Sequence, residues 1–346
     1  MHRWLIAAFG FFTATCNIAI AQSSPSSTTA KPAETQQVSP LLDGSDNAPA
    51  PARIPVKPED WTVLSIEKSN LPVESFNGPV LSRVEGEGYV RELVRLQWRA
   101  ADPIEVYVVR PKGVKNPPVI LYLYDFTSGI ERFRDDGWCS RMTKNGFAAV
   151  GFVSAVSDER LRAPRPMKQW FVSELQESLA ASTHDVQMIL NYLGGRGDVD
   201  AKRVGMFGQG SGGAVAILAA AADKRIEAID VMDPWGDWPD WLKESQQIPA
   251  EERPRYLAPQ FVSKVSNLEP VNYLPELKDR ALRVEQTLDD PVTPRIVQDR
   301  IKASVPKQGQ LVRYKGWSEF RDAHLSIDLS AWLREQIRPQ SGSINN

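Results

Sequence analysis

The residues best able to do chemistry lie at 204–213, VGMFGQGSGG. An apolar strand, Val204–Phe207, leads into a turn of glycines holding Ser211, and a small-residue helix, Ala214–Ala222, follows. Two motifs fit this turn. Gly208, Gly210 and Gly213 satisfy G-x-G-x-x-G between strand and helix, and Asp233 falls about 20 residues on, near the end of the next expected strand. Glycines so placed let a pyrophosphate approach the helix N-terminus, while the acid holds a ribose hydroxyl. The same residues also fit a nucleophile elbow, G-x-S-x-G, with Gly210 where the attacking serine belongs. Ser211 is then one residue late, and one residue at the head of a helix turns a side chain by about 100°.

The flanking residues favour the elbow. DVDAKRVGMFGQGSGGAVAILAAA (198–221) resembles that stretch in secreted α/β-hydrolases of the dienelactone hydrolase, acetyl xylan esterase and prolyl oligopeptidase kind. VRELVRLQWRAADPIEVYVVRPKGVKNPPVILYLYDF (90–126) resembles the family's first hairpin and third strand, and DGWCSRMTKNGFAAVGFV (136–153) the helix and strand after it. QTLDDPVTP (286–294) is similar to the acid loop. The resemblance runs in order over 90–338 and implies an α/β-hydrolase fold. That means a mostly parallel central sheet, helices on both faces and a small irregular cap.

It also implies where a catalytic triad would stand. The nucleophile position is Gly210, the acid is Asp290, and KGWSEF (315–320) places Ser318 where the family carries its histidine. Backbone N–H groups of Phe126 and Ser211 would form the oxyanion hole. Asp125 sets a carboxylate beside that hole, opposing the charge it should stabilise. A bare Cα at 210 and no imidazole at 318 imply a pseudo-hydrolase with a binding or regulatory role. The alternative is a rewired serine esterase using Ser211, Asp290 and His324, with Ser211 otherwise helping to cap its helix. Dinucleotide binding through Gly208, Gly210 and Gly213 stands as a third reading.

DPWGDWPDWL (233–242) interleaves Trp235, Trp238 and Trp241 with acids at the mouth of the implied cleft. Indole faces beside Asp125 and these acids could hold a small molecule, a carbohydrate or a cationic group; the alternative is that they pack a cap helix onto the body. With three histidines and two cysteines, a His/Cys metal site has almost no ligands, and no cofactor is expected. His184 reads as structural.

The elements that must position these residues follow from apolar patterning. Val90–Trp98, Ile104–Val109, Val119–Tyr124, Phe147–Val153, Ala228–Met232, Leu282–Gln286 and Leu311–Tyr314 read as strands, Lys168–Leu193 and Leu325–Ile337 as helices. Strands alternating with helices predict a parallel sheet covered on both faces. The 346 residues are 42% hydrophobic with net charge −2, a soluble globular profile without the basic excess that nucleic acid demands. Residues 1–21 read as a signal peptide, with lipidation of Cys16 a weaker option, and 22–58 as a disordered Ser/Thr/Pro/Ala-rich linker. The hydrolase domain follows at 59–338, its cap at about 234–280, and 339–346 is a tail. The expected location is periplasmic or extracellular, with no membrane span after signal cleavage and no identifiable protein partner.

Overall fold

A computed structural model describes residues 78–98, 103–125, 130–155, 175–325 and 330–338. The expected signal peptide, linker and tail lie outside these residues. Nine strands form one sheet in the order β1-β2-β3-β5-β4-β6-β7-β8-β9. They are β1 (Val80–Glu85), β2 (Tyr89–Leu96), β3 (Ile104–Pro111), β4 (Pro118–Leu123), β5 (Ala148–Phe152), β6 (Asp200–Gln209), β7 (Ile226–Met232), β8 (Ala281–Thr287) and β9 (Gln310–Tyr314). Strands β1, β2, β3 and β5 pair antiparallel in turn, and β5-β4-β6-β7-β8-β9 run parallel. Strand β4, PVILYL, is buried along its whole length, as a strand covered on both faces must be.

The helices that matter for the site are α1 (Asp136–Thr143), α2 (Leu175–Arg196), α3 (Ser211–Ala222) and α4 (Trp238–Glu244). Helix α3, SGGAVAILAAAA, has ten of its twelve residues buried. It lies against β6 and β7, so its small side chains reflect close approach rather than helix propensity alone. Gly212 shows how close: a Cβ there would sit 2.6 Å from Leu123 C and 2.8 Å from Tyr124 O. Cys139 is buried on α1, with its thiol on Phe133 O at 3.3 Å.

Three expectations change. Strand β1 escaped the patterning because all six of its residues are exposed, so no face alternates. Beyond α8 (Arg295–Ser304), α9 (Trp317–Leu325) precedes the closing helix expected at Leu325–Ile337, of which α10 (Ala331–Gln336) is seen and 326–329 lie outside the described residues. The prolines of 245–278 suggested irregular chain. Several instead occupy the first turn of short helices, where the missing N–H costs nothing: α5 (Arg253–Tyr256), α6 (Pro259–Ser266) and α7 (Pro270–Tyr273). Of the long helix expected from Lys168, only the part from Leu175 lies within the described residues. Among those residues no helix is long and apolar enough to cross a membrane.

The packing of α3 gives a direct test. Gly212→Ala should cost about 1–3 kcal/mol in urea unfolding, because its methyl meets backbone that cannot give way. Gly194→Ala, exposed on α2 with nothing within 4 Å of the added methyl, should be neutral or stabilising by up to about 1 kcal/mol.

Candidate active-site cleft

Strand order decides where loops meet. From β4 the chain passes to β5 on one side and then to β6 on the other, so a crevice opens between the C-terminal ends of β4 and β6. Their register pairs Leu123 with Gly208. Two residues beyond each strand level lie Asp125 and Gly210, and the register brings them face to face.

Gly210 sits at the turn from β6 into α3 with φ 55° and ψ −116°. That conformation is open to glycine and strained for any residue with a Cβ. The turn is fixed on both sides: Gly210 N donates to Met232 O at 2.9 Å, and Gly210 O accepts from Ala214 N and Trp235 N at 3.1 Å each. The strained strand–turn–helix bend falls at Gly210, where the elbow register places the nucleophile. This is an α/β-hydrolase fold.

The α/β-hydrolase comparison extends to sequence and structure. A family model described as the dienelactone hydrolase family matches residues 104–254. Acetyl xylan esterase 1 from Thermoanaerobacterium sp. JW/SL YS485 is similar in structure, with TM-score 0.58 and 14% identity over 72% of this chain and 86% of its own. An acetyl xylan esterase from Paenibacillus sp. R4 gives TM-score 0.56 and 16% identity over 75% and 88%. Acylaminoacyl peptidase from Pyrococcus horikoshii gives 0.57 and 14% over 74% and 43%. No curated protein sequence matches the chain.

The stations of this α/β-hydrolase cleft can be inspected one by one. At the elbow, a Cβ on Gly210 would overlap the Asp125 carboxylate, lying 2.5 Å from Cγ and 3.0 Å from Oδ2. The carboxylate therefore fills the space where a nucleophile's side chain would begin. Its Oδ1 accepts from Ser211 N at 3.0 Å and from the Ser211 hydroxyl at 3.2 Å. Ser211 N–H, an oxyanion donor in the implied register, is thus already engaged by an anion of the chain itself. This arrangement caps α3 from a distant loop, with negative charge at the positive end of the helix. Ser211 is fully buried. Phe126, the other implied donor, lies outside the described residues.

Asp290 faces the cleft, but its two carboxylate oxygens accept from Val292 N at 3.1 Å and Thr293 N at 3.0 Å. Ser318 is exposed on α9 and does not line the cleft; its neighbour Trp317 does. His324 also lies on α9, its side chain outside the described residues. His184 is buried on α2, edge-on to Trp98 at 6.2 Å.

These loops enclose a cavity of about 320 Å³. Asp125, Asp233, Asp289 and Asp290 face it, together with Trp235 and Trp317. The expectation that Trp238 and Trp241 face the cleft is corrected: both are 0% exposed and pack inward, Trp241 against Trp235 at 4.6 Å and Trp238 edge-on to Trp241. Helix α4 begins at Trp238, so three-residue spacing puts both indoles on its buried face. Sequence reasoning missed Asp289, which neighbours the acid position, and Trp317, which neighbours the base position. The adjacency was the available signal. Among the described residues no group of three or more His, Cys, Asp or Glu is arranged to hold a metal.

Asp233 is 7% exposed, at φ 43°, and takes Thr287 N at 2.7 Å and the Thr287 hydroxyl at 2.6 Å. Burial chiefly, then the negative charges of Asp290 and Glu285, push its carboxyl up to about 7. The nucleotide reading would leave this acid free for a ribose; here Thr287 occupies both oxygens.

Two outcomes follow from this geometry. Gly210→Ser should cost about 1–3 kcal/mol in backbone strain, plus the collision with Asp125. In a double-mutant cycle Asp125→Ala should return the collision part, giving a coupling of about 0.5–3 kcal/mol by urea unfolding. The Asp233 carboxyl holds its proton more tightly folded than unfolded. That contribution to stability is present below about pH 4 and lost as pH rises through about 7. Glu269, raised to about 7 mainly by burial, acts in the same sense. Tm should therefore fall between about pH 4 and 7, and Asp233→Asn, tolerated at positive φ, should flatten the fall.

Proposed function

We propose that this chain is a pseudo-hydrolase: an α/β-hydrolase body whose cleft binds a ligand and does not turn it over. The observation that carries the reading is the Asp125 carboxylate seated over Gly210. Covalent acyl transfer needs an attacking oxygen at the bend and free N–H donors for the developing oxyanion. Here the bend has no side chain, and the Ser211 N–H is held by a negative charge. The first removes covalent catalysis, and losing one oxyanion donor costs a further factor of about 10²–10³ in rate.

The rewired esterase built on Ser211, Asp290 and His324 is disfavoured by the position of Ser211. Its hydroxyl is buried and donates to the Asp125 carboxylate. Dinucleotide binding is disfavoured because a pyrophosphate would have to displace Asp125 from the head of α3. The signal-like residues 1–21 support an exported, periplasmic or extracellular protein. The similarity to proteins named as acetyl xylan esterases supports a small-molecule or carbohydrate ligand.

The purified protein, treated with a fluorophosphonate probe and with activated acetyl esters, should give no covalent adduct and no hydrolysis above buffer. Ser211→Ala should behave identically. An adduct at Ser211, lost in Ser211→Ala, would overturn the proposal in favour of the esterase.

A further inference from the structure

One wall of the cleft is carried by a short segment in a strained conformation. Between β7 and α4 the chain runs Asp233-Pro234-Trp235-Gly236-Asp237, and both acids hold positive φ, 43° and 53°. Asp tolerates that region better than most residues, yet it persists there only when its surroundings fix it. Trp235, midway, lines the cavity and packs its ring on Trp241 at 4.6 Å. The Trp241 indole N–H is buried and meets no acceptor among the described residues, a cost that the packed arrangement carries.

The near end is tied to the sheet and the elbow. Asp233 N donates to Glu285 O of β8 at 2.9 Å, and Trp235 N donates to Gly210 O at 3.1 Å. At the far end the backbone N–H groups go to one side chain. Glu269, which opens α7, accepts from Asp237 N and Trp238 N at 2.6 Å each and from Val271 N at 3.3 Å. A Cβ on Gly236 would stand 3.3 Å from Glu269 Oε1, so the carboxyl lies directly against the segment.

Glu269 is 6% exposed. Burial chiefly raises its carboxyl, to about 7, against the pull of the three N–H groups and with a smaller push from Asp237. Asp237 is raised in turn by burial and then by Asp240, while Arg300 of α8 lowers it. Helix α3, packed against α7, carries no ionisable side chain, and the other charged residues of α6, α8 and 274–279 are exposed. Once solvated, the Glu269 carboxyl would titrate near its ordinary 4.5. The buried arrangement therefore binds the proton more tightly; it is favoured in acid and loses ground as pH rises through about 5 to 7.

We infer that 233–237 is a strap latched by Glu269, a positioning residue that fixes Trp235 in the cleft wall while its carboxyl is protonated and releases it on ionising. The bonds to β8 and Gly210 act as the hinge, and the two positive φ values supply the strain that lifts the freed end. The cavity, about 320 Å³, is at the small end for ligand sites, so moving one indole of its wall changes what can enter. That consequence rests on the reading of the cleft as a binding site; the latch itself does not.

The test is fluorine NMR of the intact protein grown on fluorinated tryptophan, the Trp235 signal being assigned by its loss in Trp235→Phe. That signal should move in one step as pH rises from about 5 to 8. Glu269→Gln, neutral at every pH, should hold it at its acid position throughout. Asp233→Asn, which removes the other raised acid at this segment, should leave the step in place. The inference is overturned if no step occurs, if the step survives Glu269→Gln, or if Asp233→Asn abolishes it. Should Glu269→Gln fail to fold, amide hydrogen exchange on the unmodified protein takes its place. Corrected for intrinsic rates, protection of the Asp237 and Trp238 amides should fall at least about tenfold between pH 5 and 7 relative to the Gly210 amide. No fall, or an equal one at Gly210, overturns the latch. Neither readout involves catalysis: fluorophosphonate labelling would sink the pseudo-hydrolase reading alone, and a Trp235 signal indifferent to pH would sink the latch alone.

Discussion

One carboxylate meeting one missing side chain organises the upper face of this molecule. Asp125 fits over Gly210 because there is no Cβ to exclude it, and its Oδ1 then takes the first N–H of α3. Each half requires the other. A serine at 210 would displace the carboxylate, and without the carboxylate the head of a buried twelve-residue helix would lose the acceptor that faces it. The interlock ties the loop after β4 to the turn after β6, the two elements between which a hydrolase cleft would open.

Charge is arranged in two tiers behind that contact. Facing the cavity, Asp233 accepts from Thr287 and Asp290 from the amides of Val292 and Thr293. Deeper, between β7, β8 and β9, Asp230 and Glu285 share one guanidinium, Arg283, at 2.5 and 3.0 Å, and Tyr314 donates to Glu285 at 2.6 Å. Burial chiefly raises the Asp230 carboxyl, against the pull of Arg283 and with a push from Glu285. Glu285 also raises Asp233 through space, so the buried tier contributes to the proton affinity of the cleft.

Much of this was legible from residue order. Strand and helix alternation, the elbow register and the glycine at its bend follow from local patterns, and the structure places each where those patterns indicate. The fully exposed β1 left no periodic trace, and the prolines of the cap were ambiguous between loop and helix start. The tryptophans of 235–241 looked alike on the page. Only helix α4 separates them, turning Trp238 and Trp241 inward while Trp235 reaches the cavity wall.

What the chain's order alone determined is a glycine at the bend where a nucleophile is expected, a covalent fact that needs no coordinates. What only the tertiary structure decided is what faces it. Asp125 and Ser211 are separated by 86 positions, and their contact exists because β4 and β6 pair in one register. Pairing register sets which loop ends lie opposite one another, and no local pattern encodes it. The same is true of the acids gathered from the loops after β4, β7 and β8, whose mutual charge becomes a property of the cleft only once the sheet has brought them to one edge.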